Sequence, residues 1–389
     1  MSKYFILLTV LLFTVGCNSM AEAQHNMNGT PMMEHNMDHM ATPMMEHNME
    51  AMPAATPMMD HSMHAMTSTT EHNMNSMGSM TSTMMGGGHH MQPITASNVA
   101  VATETKGGQP LAFQMVDGVK VFNLTTKTVQ WQILDGVMIT AYTYNGTLPG
   151  PMIRVTQGDK IRVVVKNELD VPTTVHWHGV TVPNNMDGVP GMTQAPIQPG
   201  ETFNYEFEVK DVGTFWYHSH YESDRQVGAG LFGAFIADPK TETNKPDVDM
   251  TLMLSEVMVQ NGQTFAAMPM MGMEPNYFLI NGKSFPNTEN ITIKKGQRVR
   301  LRFVAAGQFI HPMHLHGMPF KVVATDGHPI PEAAQLTKDT IAVAPGERYD
   351  VEFVATELGD WMIHCHILHH TTNNGADDGG LMMMIKVIN

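Results

Sequence analysis

Near the C-terminus, the run Trp361-Met362-Ile363-His364-Cys365-His366-Ile367-Leu368-His369-His370 sets a single cysteine between histidines. On a β-strand successive side chains point to opposite faces. His364 and His366 would then face one way and Cys365 the other. A lone thiolate backed by imidazoles of opposite direction suits two different copper sites joined by a few covalent bonds. The only other cysteine is Cys17, so no disulfide framework accounts for Cys365.

Three further histidine groups invite the same question. His176-Trp177-His178-Gly179 and Trp216-Tyr217-His218-Ser219-His220 both have the i, i+2 spacing that puts two imidazoles on one face of a strand. His311-Pro312-Met313-His314-Leu315-His316-Gly317 supplies the third. A single His-x-His is weak evidence, because core histidines produce it by chance; two in one stretch, each beside aromatics, carry more.

Short strands must position these residues. Val137–Tyr142 precedes Asn145-Gly146, and Lys160–Val165 follows Gly158-Asp159. Thr202–Phe207 alternates cleanly, and Leu231–Ile236 closes the first stretch. The same grammar returns at Met250–Leu254, Tyr277–Gly282, Arg298–Phe303 and Arg348–Phe353. Many short strands with Gly, Pro, Asn and Asp between them, and no amphipathic helical pattern, predict an all-β chain of sandwich or barrel units. Two such units follow one another, 97–240 and 247–389, with a linker around Pro239 to Pro246.

The chain of 389 residues has room for both units and a solvated extension. Its formal charge of −15 argues against nucleic acid or an anionic membrane as partner. Its 39 methionines and 21 histidines are soft thioether and imidazole donors, which together favour copper. The basic tip Met1-Ser2-Lys3 and the short apolar run Tyr4–Gly16 predict a secretory signal over residues 1–17. Thr14-Val15-Gly16-Cys17 resembles a bacterial lipoprotein cleavage site, with Thr14 where an aliphatic residue is usual. The expectation is therefore an exported, periplasmic protein with a lipid anchor at Cys17 in a bacterial (outer) membrane.

Residues 18–96 form a biased tail. Thr30-Pro31-Met32-Met33-Glu34-His35-Asn36-Met37 recurs as Thr42–Met49 and, with changes, as Thr56–Met63. Between residues 18 and 94 lie 20 methionines, 9 histidines and no Lys or Arg. Scattered Pro, Gly, Ser and Thr with few branched apolar residues predict disorder. A mere spacer has no need of Met and His at recurring positions, so copper capture is the reading.

In that order, His-Trp-His-Gly, Trp-Tyr-His-Ser-His, His-Pro-Met-His-Leu-His-Gly and His-Cys-His-x-x-x-His resemble the four copper motifs of the multicopper oxidases. Asn145-Gly146-Thr147-Leu148-Pro149-Gly150-Pro151 and Asp187-Gly188-Val189-Pro190-Gly191 resemble supporting motifs of that family. The likeness covers everything after residue 115. It implies two cupredoxin-like Greek-key β-sandwich domains, where the family usually has three. It implies one type 1, one type 2 and two type 3 coppers per functional unit. Cys365, His311 and His370 would hold type 1; His176 and His314 type 2; His178, His218, His220, His316, His364 and His366 the type 3 pair. Ten of the twelve histidines after the tail are so used, leaving His328 and His369.

The family commonly has an axial Met, Leu or Phe five residues after the last type 1 histidine, but position 375 is Gly. Thr371 to Gly380 reads as an insertion, so the axial position is Leu381 or Met382, with Met382 preferred. The resemblance also makes Asp187 a proton relay, and Asp377 or Asp378 stand-ins for a second acid, since Thr371 follows His370. Electrons from a reductant would pass through Cys365 to His364 and His366, and dioxygen would be reduced to water. In two-domain members the halves of the cluster come from neighbouring subunits, implying a homotrimer. The methionines of Met268-Pro269-Met270-Met271-Gly272-Met273 favour Cu(I) as reductant and copper detoxification as role. Phenols, as in laccases, and plain copper sequestration are the alternatives.

Overall fold

The computed structural model describes residues 92–389 except 98, 243, 270 and 271. The expectations for the signal, for Cys17 and for the Met/His-rich tail as far as residue 91 lie outside the described residues.

Alternation in the sequence becomes alternation in burial. Along Lys160–Asn167, Ile161, Val163 and Val165 are fully buried while the residues between them reach the surface. Such strands bury one apolar face each, and every Val, Ile or Phe so removed from water contributes about 1.5–3 kcal/mol. Among the described residues the strands before residue 240 form a six-stranded and a four-stranded sheet. Those after 247 form an eight-stranded and a five-stranded sheet. A core of Phe122, Leu124 and Val163 from one sheet and Ile153, Trp177, Tyr217 and Phe235 from the other fills the first pair. Leu252, Leu301, Phe303, Met313, Ile363, Cys365 and Ile385 do the same for the second. Each pair is a cupredoxin-like sandwich.

The two sandwiches also repeat a topology. Val119–Leu134 runs parallel to Lys160–Asn167, and Val248–Gln260 runs parallel to Arg298–Ala305. Parallel neighbours cannot be joined by a tight hairpin, so the chain crosses over between sheets, as Greek-key sandwiches do.

A third apolar cluster joins the sandwiches: Trp131, Ile139, Trp216 and Phe232 meet Met253, Val257, Leu279 and Val304. Beside it, the indole N–H of Trp131 donates to the Gly282 carbonyl at 2.8 Å. Buried Arg302 pairs with Asp249 at 2.6 Å and Asp350 at 2.9 Å, and the Thr214 hydroxyl donates to Asp350 at 2.7 Å. Thr214 lies in the first sandwich and Asp350 in the second, so this network fixes their relation.

One element was not foreseen. A helix of six residues, Ser223–Gly228, follows His220. It is too short to show a helical period. Its buried Gln226 accepts from the hydroxyls of Ser219 at 2.7 Å and Thr173 at 2.8 Å. Ser219 sits between His218 and His220, so the helix clamps the turn that presents them.

Candidate metal centres

The strand Gly359–Cys365 lies between two neighbours. On one side Met313 pairs with Cys365 and His314 with His364; on the other Ile363 pairs with Met383 and His364 with Met382. Directly paired residues share a face. Cys365, Met313 and His311, two residues before Met313, therefore point into the core, while His314 and His364 point out.

The short helical turn Leu368–Thr371 then brings His370 back over the cysteine. His370 Nδ1 lies 3.5 Å from Cys365 Sγ and 3.2 Å from His311 Nδ1. All three residues are at most 1% exposed. The Phe278 ring stacks on His370 with centroids 4.1 Å apart, and Phe309 meets its edge. Burial pushes the Cys365 thiol up to about 12. Burial, with His311 and His369 adding to it, brings His370 down to about 3. The imidazole is thus neutral and ready to ligate, whereas the thiol gives up its proton only when a metal displaces it. Two imidazoles and one thiolate with converging atoms are the donor set of a blue copper site, and the residues fit that ion.

The remaining eight histidines form two sets. His176, with ring centroids 5.2 to 5.7 Å from those of His178, His218 and His220, centres the first. Donor atoms of His176, His178 and His218 all lie within 4.8 Å of one another. Trp216 lies against His178 and His218, with centroids 4.9 and 4.2 Å away. In the second set His314, His316, His364 and His366 touch ring to ring, and His316 Nε2 is 3.0 Å from His364 Nε2. Among the described residues no ring of one set contacts a ring of the other.

Backbone carbonyls decide which nitrogen each ring offers. Nδ1 of His176, His218, His314 and His364 lies 2.8 to 3.0 Å from the carbonyls of Asp187, Ser219, Asp339 and Cys365. A carbonyl only accepts, so each Nδ1 donates, and Nε2 keeps the lone pair a metal needs. Burial brings His218 down to about 3 despite its Ser219 bond. Burial, then the charges of Arg348 and His176, takes His178 to about 4. His316 and His364 are lowered too, first by burial and then by their neighbours. Crowded imidazoles, with protonation disfavoured at His178, His218, His316 and His364, fit a copper cluster.

Asp187 closes the turn Asn184–Met186, and its carboxylate oxygen comes within 3.4 Å of His176 Nδ1. Gly188 follows at φ +84, where a Cβ would stand 1.9 Å from the Val175 carbonyl. Only glycine lets the Asp-Gly turn press against the histidine strand.

Met382 is a correction. Its pairing with His364 places it on the outward face of the sheet, away from Cys365. Leu381, fully buried in the same cluster as Cys365, accepts the Cys365 N–H at 3.0 Å and occupies the cysteine face. The insertion closes on itself: Gly379 N–H donates to Thr371 O, and Leu381 N–H to His370 O, both at 2.9 Å. The chain therefore returns to His370 as though nothing had been inserted. Asp377 and Asp378 are exposed on that loop.

Sequence reasoning missed Glu256 and Phe278. Glu256 Oε2 is 3.2 Å from His311 Nε2, with both side chains buried. The signal was a lone acid at the same strand parity as Leu252 and Leu254.

Residues 125–242 and 254–387 match two family models, both described as multicopper oxidase. The crystal structure of the blue copper oxidase from Nitrosomonas europaea is 36% identical, with a TM-score of 0.64 over 69% of this chain and 85% of that one. Multicopper oxidase MmcO of Mycobacterium tuberculosis is 33% identical over 254 residues, 57% of this chain and 49% of the relative. Copper resistance protein A of Escherichia coli is 30% identical over 303 residues, 65% and 47%. The chain spans about half the length of these curated relatives.

Proposed function

The chain belongs to the multicopper oxidase family, and from that premise we propose that it is an exported oxidase that takes single electrons from Cu(I) and delivers them to dioxygen. The cofactor copper supplies, when bound, the one-electron relay and the four-electron reduction of dioxygen to water. His311, Cys365 and His370 hold the type 1 ion, His176 and His314 the type 2 ion. His178, His218, His220, His316, His364 and His366 hold the type 3 pair. Cys365 is covalently continuous with His364 and His366, so the inward and outward faces of one strand link the two centres. Asp187, reaching His176 from a partly exposed turn, hands protons to the histidine face.

One observation carries the choice of Cu(I). Met268 and Met273 pack with Phe265 in a small buried cluster, against which Met258 lies. Met258 shares a strand face with Glu256, two residues away, and Glu256 touches His311. Thioethers are thus gathered beside the strand that carries Glu256, and they are the donors that suit Cu(I). Met270 and Met271 lie outside the described residues. Oxygen uptake with Cu(I), measured before and after replacing Met258, Met268 and Met273 by Leu, is the test. Turnover that is unchanged by the triple variant sinks the role of this cluster.

A laccase-like reading has its own support: Leu368 is 68% and Ile310 44% exposed, in the segments that carry His370 and His311. An apolar rim there suits a phenol. Turnover of phenols alone would select this reading, and copper binding without oxygen consumption would leave sequestration.

Each chain offers four cluster histidines on each of two separate surfaces. A head-to-tail contact that closes at three copies would complete the cluster between neighbours, so the assembly proposed is a homotrimer. Periplasmic location and lipidation at Cys17 rest on the sequence of the first residues; fatty-acid labelling lost in Cys17→Ala is the outcome that supports them.

A further inference from the structure

We infer that Glu256 is a positioning residue for the type 1 ion, a buried counter-charge that fixes which nitrogen of His311 faces the metal and sets the potential of the couple. The inference rests on the assignment of His311, Cys365 and His370 to that ion.

Glu256 lies on the inward face of Val248–Gln260, in line with Leu252 and Leu254, which are fully buried. Its own side chain is 2% exposed. Burying an ionised carboxylate costs several kcal/mol unless a partner compensates. Among the described residues its only ion-pair partner is His311; no Lys or Arg reaches it. One carboxylate oxygen accepts the backbone N–H of Gln308, and the other faces His311 Nε2 at 3.2 Å. Gly307 makes room: a Cβ there would stand 2.1 Å from Glu256 Oε2.

His311 Nε2 is the nitrogen that faces the carboxylate, so it is the one placed to donate to it. Nδ1 is then left as a lone pair, and it is Nδ1 that lies 3.2 Å from His370 Nδ1 beside Cys365. A carboxylate behind a ligating imidazole orients the ring and makes it a stronger donor. An ion held through Nδ1 would supply the positive charge that this buried carboxylate lacks. Stronger donation and a nearby negative charge both favour the oxidised ion, so Glu256 holds the potential down.

The test is Glu256→Gln in the full chain, with Glu256→Asp beside it. Gln keeps the size and an accepting oxygen but loses the charge; Asp keeps the charge but is shorter. In the copper-loaded protein, E256Q should retain the visible thiolate-to-copper band. It should shift the electron-exchange equilibrium with an external one-electron couple at least tenfold toward the reduced protein, about 59 mV for a one-electron step. E256D should stay nearer to wild type than E256Q. A steric role alone would rank the two variants the other way and overturn the inference, as would an E256Q equilibrium within twofold of wild type. Nitrogen NMR of the Cu(I)-loaded protein gives a second readout: His311 should carry its proton on Nε2, and finding it on Nδ1 also overturns the inference. If wild type itself lacks the visible band, the type 1 assignment fails instead, which is a distinguishable result.

Discussion

The trio of Cys365, His311 and His370 and the eight other candidate histidines differ in almost every physical respect, although one strand feeds both. Cys365, His311 and His370 are buried in the core of one sandwich. His311 and His370 converge through Nδ1, with a side-chain carboxylate behind the His311 ring. The others present Nε2 wherever a backbone carbonyl fixes the ring, and they lie on outward faces, with His316 and His366 exposed. The trio is preorganised by apolar packing that the chain completes alone. Four of the eight histidines are aimed by hydrogen bonds to backbone carbonyls, and among the described residues the two sets do not meet within one chain. A closed site and an open one thus sit on opposite faces of Gly359–Cys365.

The largest effect that separates them is Cys365→Ser. It should abolish the visible band and turnover of every reductant, while metal analysis still finds copper on the histidine sets. Loss of all copper would mean that the two centres are not independent in assembly. Next comes complementation. His178→Ala and His316→Ala each disable one set and should each be inactive. Subunits of the two kinds refolded or expressed together should recover about a quarter of the sites if pairing is random between neighbouring copies. No recovery in a verified mixed oligomer would place both sets of a cluster in the same chain.

Breaking the seam between the sandwiches should touch the open site more than the closed one. Arg302→Met leaves buried Asp350 without its cation and half-buried Asp249 with Arg154 alone, and should cost about 3–5 kcal/mol at neutral pH. The visible band should persist, because the trio lies within one sandwich, while oxygen turnover falls. Acid should narrow the deficit, because without Arg302 both carboxyls can shed their uncompensated charge by taking up a proton, whereas in the wild type the two shift in opposite directions. For Asp350 burial outweighs Arg302 and raises the carboxyl. Its contribution is therefore present below the ordinary carboxylate range and lost as pH rises through the raised value. For Asp249 burial is outweighed by Arg302 and Arg154, and the carboxyl is lowered. Its contribution is present above the ordinary range and lost as pH falls through the lowered value. Unfolding by denaturant at pH 7 and pH 4 checks this; an equal deficit at both would show that the ion pairs are not its source.

Much of this could be read from residue order, and the reason is chemical. Strand alternation announced Lys160–Asn167 and Arg298–Ala305 because one face of each must leave water. The groups of His and Cys that the structure brings together stood out because few side chains can ligate a metal and their i, i+2 spacing suits one face of a strand. Glu256 was not, since an acid in a strand reads as a surface residue until its neighbours on the same face are known. The helix Ser223–Gly228 was too short to leave a period. The choice between Leu381 and Met382 was illegible for a sharper reason. A one-residue shift moves a side chain to the opposite face of the sheet, and only the pairing register settles it.

That last point makes the finest test of the closed site. Leu381→Met is nearly volume-conserving and should cost under about 1.5 kcal/mol of stability. If Leu381 stands on the cysteine face, the new thioether becomes a weak axial donor there, and the type 1 potential should fall with a change in the visible spectrum. Met382→Leu should leave potential and spectrum as they were, because its side chain belongs to the histidine face. The reverse pattern, with Met382→Leu raising the potential and Leu381→Met silent, would mean that the sheet slips by one residue when copper is present. The insertion would then have changed the axial ligand after all, and the closed site would be less independent of its surroundings than the buried trio suggests.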